Sequence, residues 1–167
     1  MIEVRTDDLA FVEADAIARP VDAELRATTP LMRRLEIAGG EGLARQLRVN
    51  EPLAVGSAVV TPAGSLGVEL LIHGVVSSDN EPVSRTKVQQ ALSSALQRAA
   101  DWGIEHLAIT PFGLGVGNLD FEDAADVLGD AIRRHWQAAN RPTTITIVVE
   151  TELEQSVFER FVGGIAS

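Results

Sequence analysis

No cysteine occurs among the 167 residues, so a disulfide framework, a thiolate nucleophile and a zinc site of the cysteine type are excluded. Three histidines scattered at positions 73, 106 and 135 do not replace them, and neither a metal nor a cofactor is expected. Positive charge is scarce as well. Fourteen Lys and Arg against twenty-four Asp and Glu leave a net charge of −10, which would repel a duplex nucleic acid. Lys87 is the single lysine; the remaining positive charge is arginine. Long apolar runs are missing too: Val68 to Val76 is interrupted by Glu69 and His73 and falls far short of the ~20 residues of a membrane span. The opening MIEVRTDD carries acid where a signal peptide carries base, so the cytoplasm is the expected location.

What is present is an ordinary globular composition, 46% hydrophobic and 23% charged, at a length that suits one domain over residues 1–167. Strand-like and helix-like patterns alternate without a linker or a fixed repeat. Ile2 to Thr6 alternates as an edge strand, and Phe11 to Ile17 is a weaker strand candidate. Ser57 to Thr61 and Val68 to Val76, separated by a segment containing Pro62, Gly64 and Gly67, predict a hairpin.

Val88, Ala91, Leu92, Ala95, Leu96 and Ala99 step by three and four, which predicts a helix from Ser84 to Trp102 closed by Gly103. His106 to Thr110 reads as a buried strand. A second helical stripe runs from Phe121 through Ala124, Ala125, Leu128, Ala131 and Ile132 to His135, with Asp120 as N-cap. Thr144 to Val149 is a further strand, and Leu153, Val157, Phe158, Phe161 and Val162 give a closing helix an apolar face. Such alternation implies right-handed crossovers and an α/β fold: three layers around a mixed, largely parallel sheet.

Ligands of open α/β sheets bind outside the carboxyl ends of the strands, so the loops after strands carry the interest. Pro111 to Asp120 reads PFGLGVGNLD, with glycines at 113, 115 and 117 between a strand and a helix. Without Cβ atoms, successive N–H groups there could turn toward a phosphate. Asp120, Glu122 and Asp123 suit the helix dipole but would repel a phosphate on the axis, so the anion is expected over the loop itself.

With these segments in hand, the chain resembles the macro domain, the ADP-ribose-binding α/β module. Asp8-Leu9 and Asp15-Ala16-Ile17-Ala18 are similar to the family's opening frame. Gly56 to Gly64 with Ile72-His73 is similar to its hairpin and Ile-His strand, and Ala91 to Gly117 to its long helix, strand and second glycine loop. The resemblance implies that Asp8 meets the adenine amino group and Leu9 offers a neighbouring amide. It also implies that Phe112, Gly113, Leu114, Gly115, Val116 and Gly117 wrap the diphosphate and distal ribose. The main pocket is then expected between Arg19 to Pro30 and Phe112 to Asn118.

Three departures bear on activity. Arg19-Pro20-Val21-Asp22 stands where the family has Asn-Ala-Ala-Asn, so Asp22 replaces the Asn that orients the distal ribose. Arg26 to Pro30 replaces a glycine run that approaches the diphosphate. Glu150 stands where many members stack an aromatic on adenine, a contact worth ~1–3 kcal/mol, so Glu150→Tyr is expected to tighten the nucleotide. The reading is a divergent macro-domain-like protein that binds ADP-ribose or a related nucleotide, with hydrolysis weak or absent and an ADP-ribosylated protein as a further partner. Two alternatives stand beside it: a hydrolase acting on ADP-ribosylated protein or O-acetyl-ADP-ribose, and an interaction module blind to nucleotides. Arg19 and Arg26 flank the expected mouth and are read as solvent-exposed loop residues before phosphate ligands. His73 is read as a core histidine rather than a catalyst.

Overall fold

A computed structural model describes residues 1–115 and 117–165. Strand β1 (Ile2–Thr6) leads through a 3-10 turn (Leu9–Phe11) into β2 (Ala16–Asp22) and helix α1 (Pro30–Gln46). The hairpin β3 (Ala58–Pro62) and β4 (Leu70–Ser77) follows, then α2 (Arg85–Asp101), β5 (His106–Ile109), α3 (Phe121–Ala138), β6 (Thr144–Val149) and α4 (Glu152–Val162). The strands form one six-stranded sheet in the order β1-β6-β5-β2-β4-β3, parallel except for the antiparallel β3–β4 edge. No described helix is long and apolar enough to cross a membrane.

The periodic stripes become the core. All six stripe positions of α2 are buried, and they pack with Ala124, Ala125, Leu128 and Ile132 of α3 and Phe158 of α4 on one face of the sheet. α1 and the 3-10 turn cover the other face through Met32, Leu35, Leu43 and Leu9. The fold is therefore the expected three-layer α/β arrangement. Ser84, Asp120 and Thr151 each cap a helix by accepting the amide of the residue three positions on, which meets an N–H that the helix leaves unpaired.

Two elements depart from the sequence reading. The strand expected over Phe11 to Ile17 lies instead at Ala16–Asp22, after the 3-10 turn. Its Pro20 obscured it, because an inner strand normally needs every N–H. Pairing with β5 covers only Ala16 to Ala18, however, so Pro20 sits where β4 is the remaining neighbour. Helix α1 was not anticipated from periodicity, since Gly40, at φ +70°, breaks it in the middle. Leu153 of α4 is 76% exposed, and Glu154 takes the inward position beside it.

Candidate functional site

At the carboxyl ends of β2, β5 and β6 the sheet opens into a cavity of about 240 Å³. Pro20 stands on its floor, Pro30, Leu31 and Met32 form the α1 wall, and Thr110 and Leu114 form the β5 wall. Phe121, Val148, Val149, Glu150 and Glu154 also line it. The cleft arises because neighbouring crossovers leave in opposite directions: β2 feeds α1 on one face, and β5 and β6 feed α3 and α4 on the other.

The glycine loop stands beside this cavity. Gly113, Gly115 and Gly117 adopt φ of +89°, +138° and +79°, a region that side chains disfavour. The amides of Leu119 and Asn118 close the loop on the carbonyls of Gly113 and Gly115 at 3.0 and 3.1 Å. A Cβ at Gly115 would lie 3.8 Å from the Thr28 carbonyl oxygen, so this loop and the Arg26 to Pro30 segment meet across the cleft. Val116, a candidate diphosphate contact, lies outside the described residues.

Other candidates are distributed unevenly. Leu114 and Glu150 line the cavity. Phe112 is wholly buried beneath the loop, its ring so close to β4 that a Cβ at Gly74 would stand 2.5 Å from it. Its side chain anchors the loop and does not face the cleft. Leu9 is buried in the core under α1. Asp8 is exposed and accepts the Ala10 amide at 3.0 Å as cap of the 3-10 turn. The neighbouring Asp7 amide donates to the Val149 carbonyl at 3.4 Å, which sets Asp8 at the β6 end of the cleft, outside the cavity lining.

Asp22 is occupied locally. Its carboxylate accepts the amides of Glu24 and Arg26 at 2.8 and 2.9 Å and the Arg26 Nε–H at 2.7 Å. Arg26 also approaches Glu24 and Asp79 at 3.3 and 3.5 Å, and its pKa is raised chiefly by the Asp22 hydrogen bond. Arg26 thus closes its own loop over acidic neighbours, and it does not line the cavity.

Arg19 contradicts the expectation of an exposed loop residue: it lies in β2 and is wholly buried. Its Nε–H donates to His73 Nδ1 at 2.9 Å, and Nη1 meets Glu36 of α1 at 3.1 Å. Burial lowers its pKa against the opposing pull of Glu36 and Asp22. His73 Nε2 meets Thr61 Oγ1 at 2.8 Å, in keeping with the core role expected of it. Burial and then the Arg19 charge push the imidazole down to about 3, so it is neutral.

Thr29, Arg34, Thr110, Phe121 and Glu154 also line the cavity, though the sequence reading gives none of them a ligand role. The signal for the α1 wall was Thr29-Pro30, a cap residue followed by proline at the first helical position; Thr29 Oγ1 accepts the Met32 amide at 3.4 Å. Arg34 Nη2 donates to Glu150 Oε1 at 2.8 Å across the rim. Glu154, nearly buried, accepts the Glu150 amide and the Thr151 hydroxyl at 3.3 and 3.2 Å. Glu150 is therefore no isolated charge.

Architecture and cleft together define a class: three-layer α/β proteins with a cleft where parallel strands end beside a glycine loop. The family model of the Macro domain matches residues 21–128, and the chain belongs to that family. Among solved structures, the Oceanobacillus iheyensis macrodomain with ADP superposes at TM-score 0.84 and 16% identity, covering 96% of this chain and 89% of that one. The Trypanosoma brucei macrodomain in complex with ADP-ribose gives TM-score 0.85 at 16% identity, covering 97% and 69%. An uncharacterised protein of Mycobacterium tuberculosis is 32% identical over 148 residues, 89% of this chain and 40% of that protein. One from Aquifex aeolicus is 28% identical over 159 residues, covering 95% and 93%. The chain thus spans about two-fifths of the length of its mycobacterial relatives.

Proposed function

We propose that residues 1–167 act as one macro-domain unit that binds ADP-ribose or a related nucleotide in this cleft, with hydrolysis weak or absent. The carrying observation is the cavity at the ends of β2, β5 and β6, flanked by a loop whose three glycines hold positive φ. Backbone N–H groups turned outward by such a loop make an anion cradle that needs no cationic side chain. The solved relatives with ADP and ADP-ribose support this choice of ligand. In this reading the diphosphate lies over Gly113 to Gly117, and the adenine lies toward β6, near Asp8 and Glu150. ADP-ribosylated protein and O-acetyl-ADP-ribose are further ligands of the same chemistry, and the cytoplasm is the proposed location.

Weak hydrolysis follows from Asp22. An Asp carboxylate has no N–H to donate to a ribose hydroxyl, and that of Asp22 is turned to three local N–H groups, outside the cavity lining. A thermal-shift titration with ADP-ribose tests the binding reading, since ligand at 100 times its Kd stabilises by about 2.7 kcal/mol. No shift at millimolar ligand would favour a protein-interaction module that ignores nucleotides.

A further inference from the structure

A nucleotide with its diphosphate over the β5 loop must extend toward β6 at one end and β2 at the other, because the sheet runs β6-β5-β2 there. Its base needs a flat or apolar partner on each face. At the β6 end the walls are aliphatic, from Leu31, Val148 and Val149, and the planar cation on the rim is the Arg34 guanidinium. Phe121 is a second flat side chain on the cavity; it begins α3 directly after the β5 loop, next to Glu122, which pairs with Arg160 of α4.

We propose that Arg34, oriented by Glu150, is the platform on which the base of the bound nucleotide stacks; the proposal rests on the nucleotide reading above. The ion pair at 2.8 Å joins α1 to the end of β6 across the mouth, yet its side chains are 61% and 50% exposed. Exposed pairs contribute little to stability, so folding gives slight reason for the pairing. What the pair does achieve is geometric. The carboxylate holds Nη2 of the guanidinium at the rim, and the 61% exposure of the Arg34 side chain leaves surface on which a base can stack.

Charge decides what lies against those faces. Glu150 already neutralises Arg34, so a phosphate brought to the same guanidinium would face the carboxylate at close range. A neutral base meets no such penalty, and a purine covers more of the plane than a pyrimidine. Arg34 is therefore a specificity-determining residue for the base.

Calorimetry with ADP-ribose and with diribosyl diphosphate, which lacks the base, tests this on the full chain. Arg34→Lys keeps the charge and removes the plane. It should weaken ADP-ribose about tenfold and leave the base-free ligand unchanged. The double variant Arg34→Ala/Glu150→Tyr should regain most of that loss by placing a ring at the same end. An equal loss for both ligands would make Arg34 a phosphate contact and overturn the platform. Unchanged ADP-ribose affinity in Arg34→Lys would overturn it too, as would loss of the base preference in Phe121→Ala with Arg34→Lys unaffected. If the wild-type protein binds neither ligand, the nucleotide reading fails and carries the platform down. If it binds both and Arg34→Lys is silent, the platform alone fails.

Discussion

Arg19 and His73 face each other in register on β2 and β4, joined by an Nε–H to Nδ1 hydrogen bond of 2.9 Å with both side chains wholly buried. The bond requires His73 Nδ1 to carry a lone pair. The ring's proton therefore sits on Nε2, directed at Thr61 Oγ1 2.8 Å away. Protonating the ring would set two donors head to head beside a buried cation.

A pH dependence follows. His73 titrates at about 3 in the folded chain, against ~6.5 when unfolded. The unfolded state thus binds the extra proton first. The stabilisation is fully present above ~6.5 and is lost as pH falls toward 3, at roughly 1.4 kcal/mol per pH unit inside that window. Denaturant melts of wild type and His73→Gln between pH 4 and 7 should show a shallower slope for the variant; parallel slopes would refute the assignment.

Arg19→Met should cost about 2–4 kcal/mol, since it leaves the Glu36 carboxylate and His73 Nδ1 without their donor. The lower end is expected, because Glu36 keeps 23% side-chain exposure and can be solvated. Adding His73→Leu should recover part of the loss, as an apolar pair replaces a half-satisfied polar one. A double-mutant cycle by urea unfolding measures the coupling, and simple additivity would show that the two residues do not act as a unit.

Gly115→Asp should abolish nucleotide binding while the fold persists. The new Cβ meets Asn118 Nδ2 at 2.9 Å and sits at φ +138°, so some stability is lost, and the carboxylate would stand beside the proposed diphosphate. Gly67→Ala is the control, because its Cβ meets nothing within 4 Å and it lies in the β3–β4 connection, away from the proposed site. It should leave binding unchanged. Calorimetry with ADP-ribose distinguishes them, and unchanged affinity in Gly115→Asp would remove the loop from the site.

Asp8→Ala should weaken ADP-ribose and narrow its preference over the inosine analogue, which lacks the amino group that a carboxylate reads. The Asp8 Oδ1 already serves the Ala10 amide, so the second oxygen is the one proposed to meet the base. Thermal melting reports any loss of the cap separately. Equal losses for both nucleotides would mean that Asp8 acts through the turn and not through the base.

Release of ADP-ribose from modified protein should be slow or absent beside an active macro domain assayed on the same substrate. Comparable turnover would show that the Asp22 carboxylate, despite its three local hydrogen bonds, does not limit the chemistry.

The α/β class, the α2 and α3 stripes, β5, β6 and the glycine loop are written in local periodicity and turn chemistry, because burial of one helix face or one strand imposes a pattern within a few residues. For the same reason α1 was hidden: Gly40 resets its phase, and its capping by Thr29 is a signal only for its first turn. The cleft's composition is another matter. That Arg19 is buried against His73, that Phe112 packs against Gly74 of β4 and that Arg34 reaches Glu150 are contacts spanning up to 116 residues. No window of sequence contains both partners of the longest of these. Strand order brings them together, and the side chain of a charged residue turns inward or outward according to whichever opposite charge the neighbouring crossover delivers.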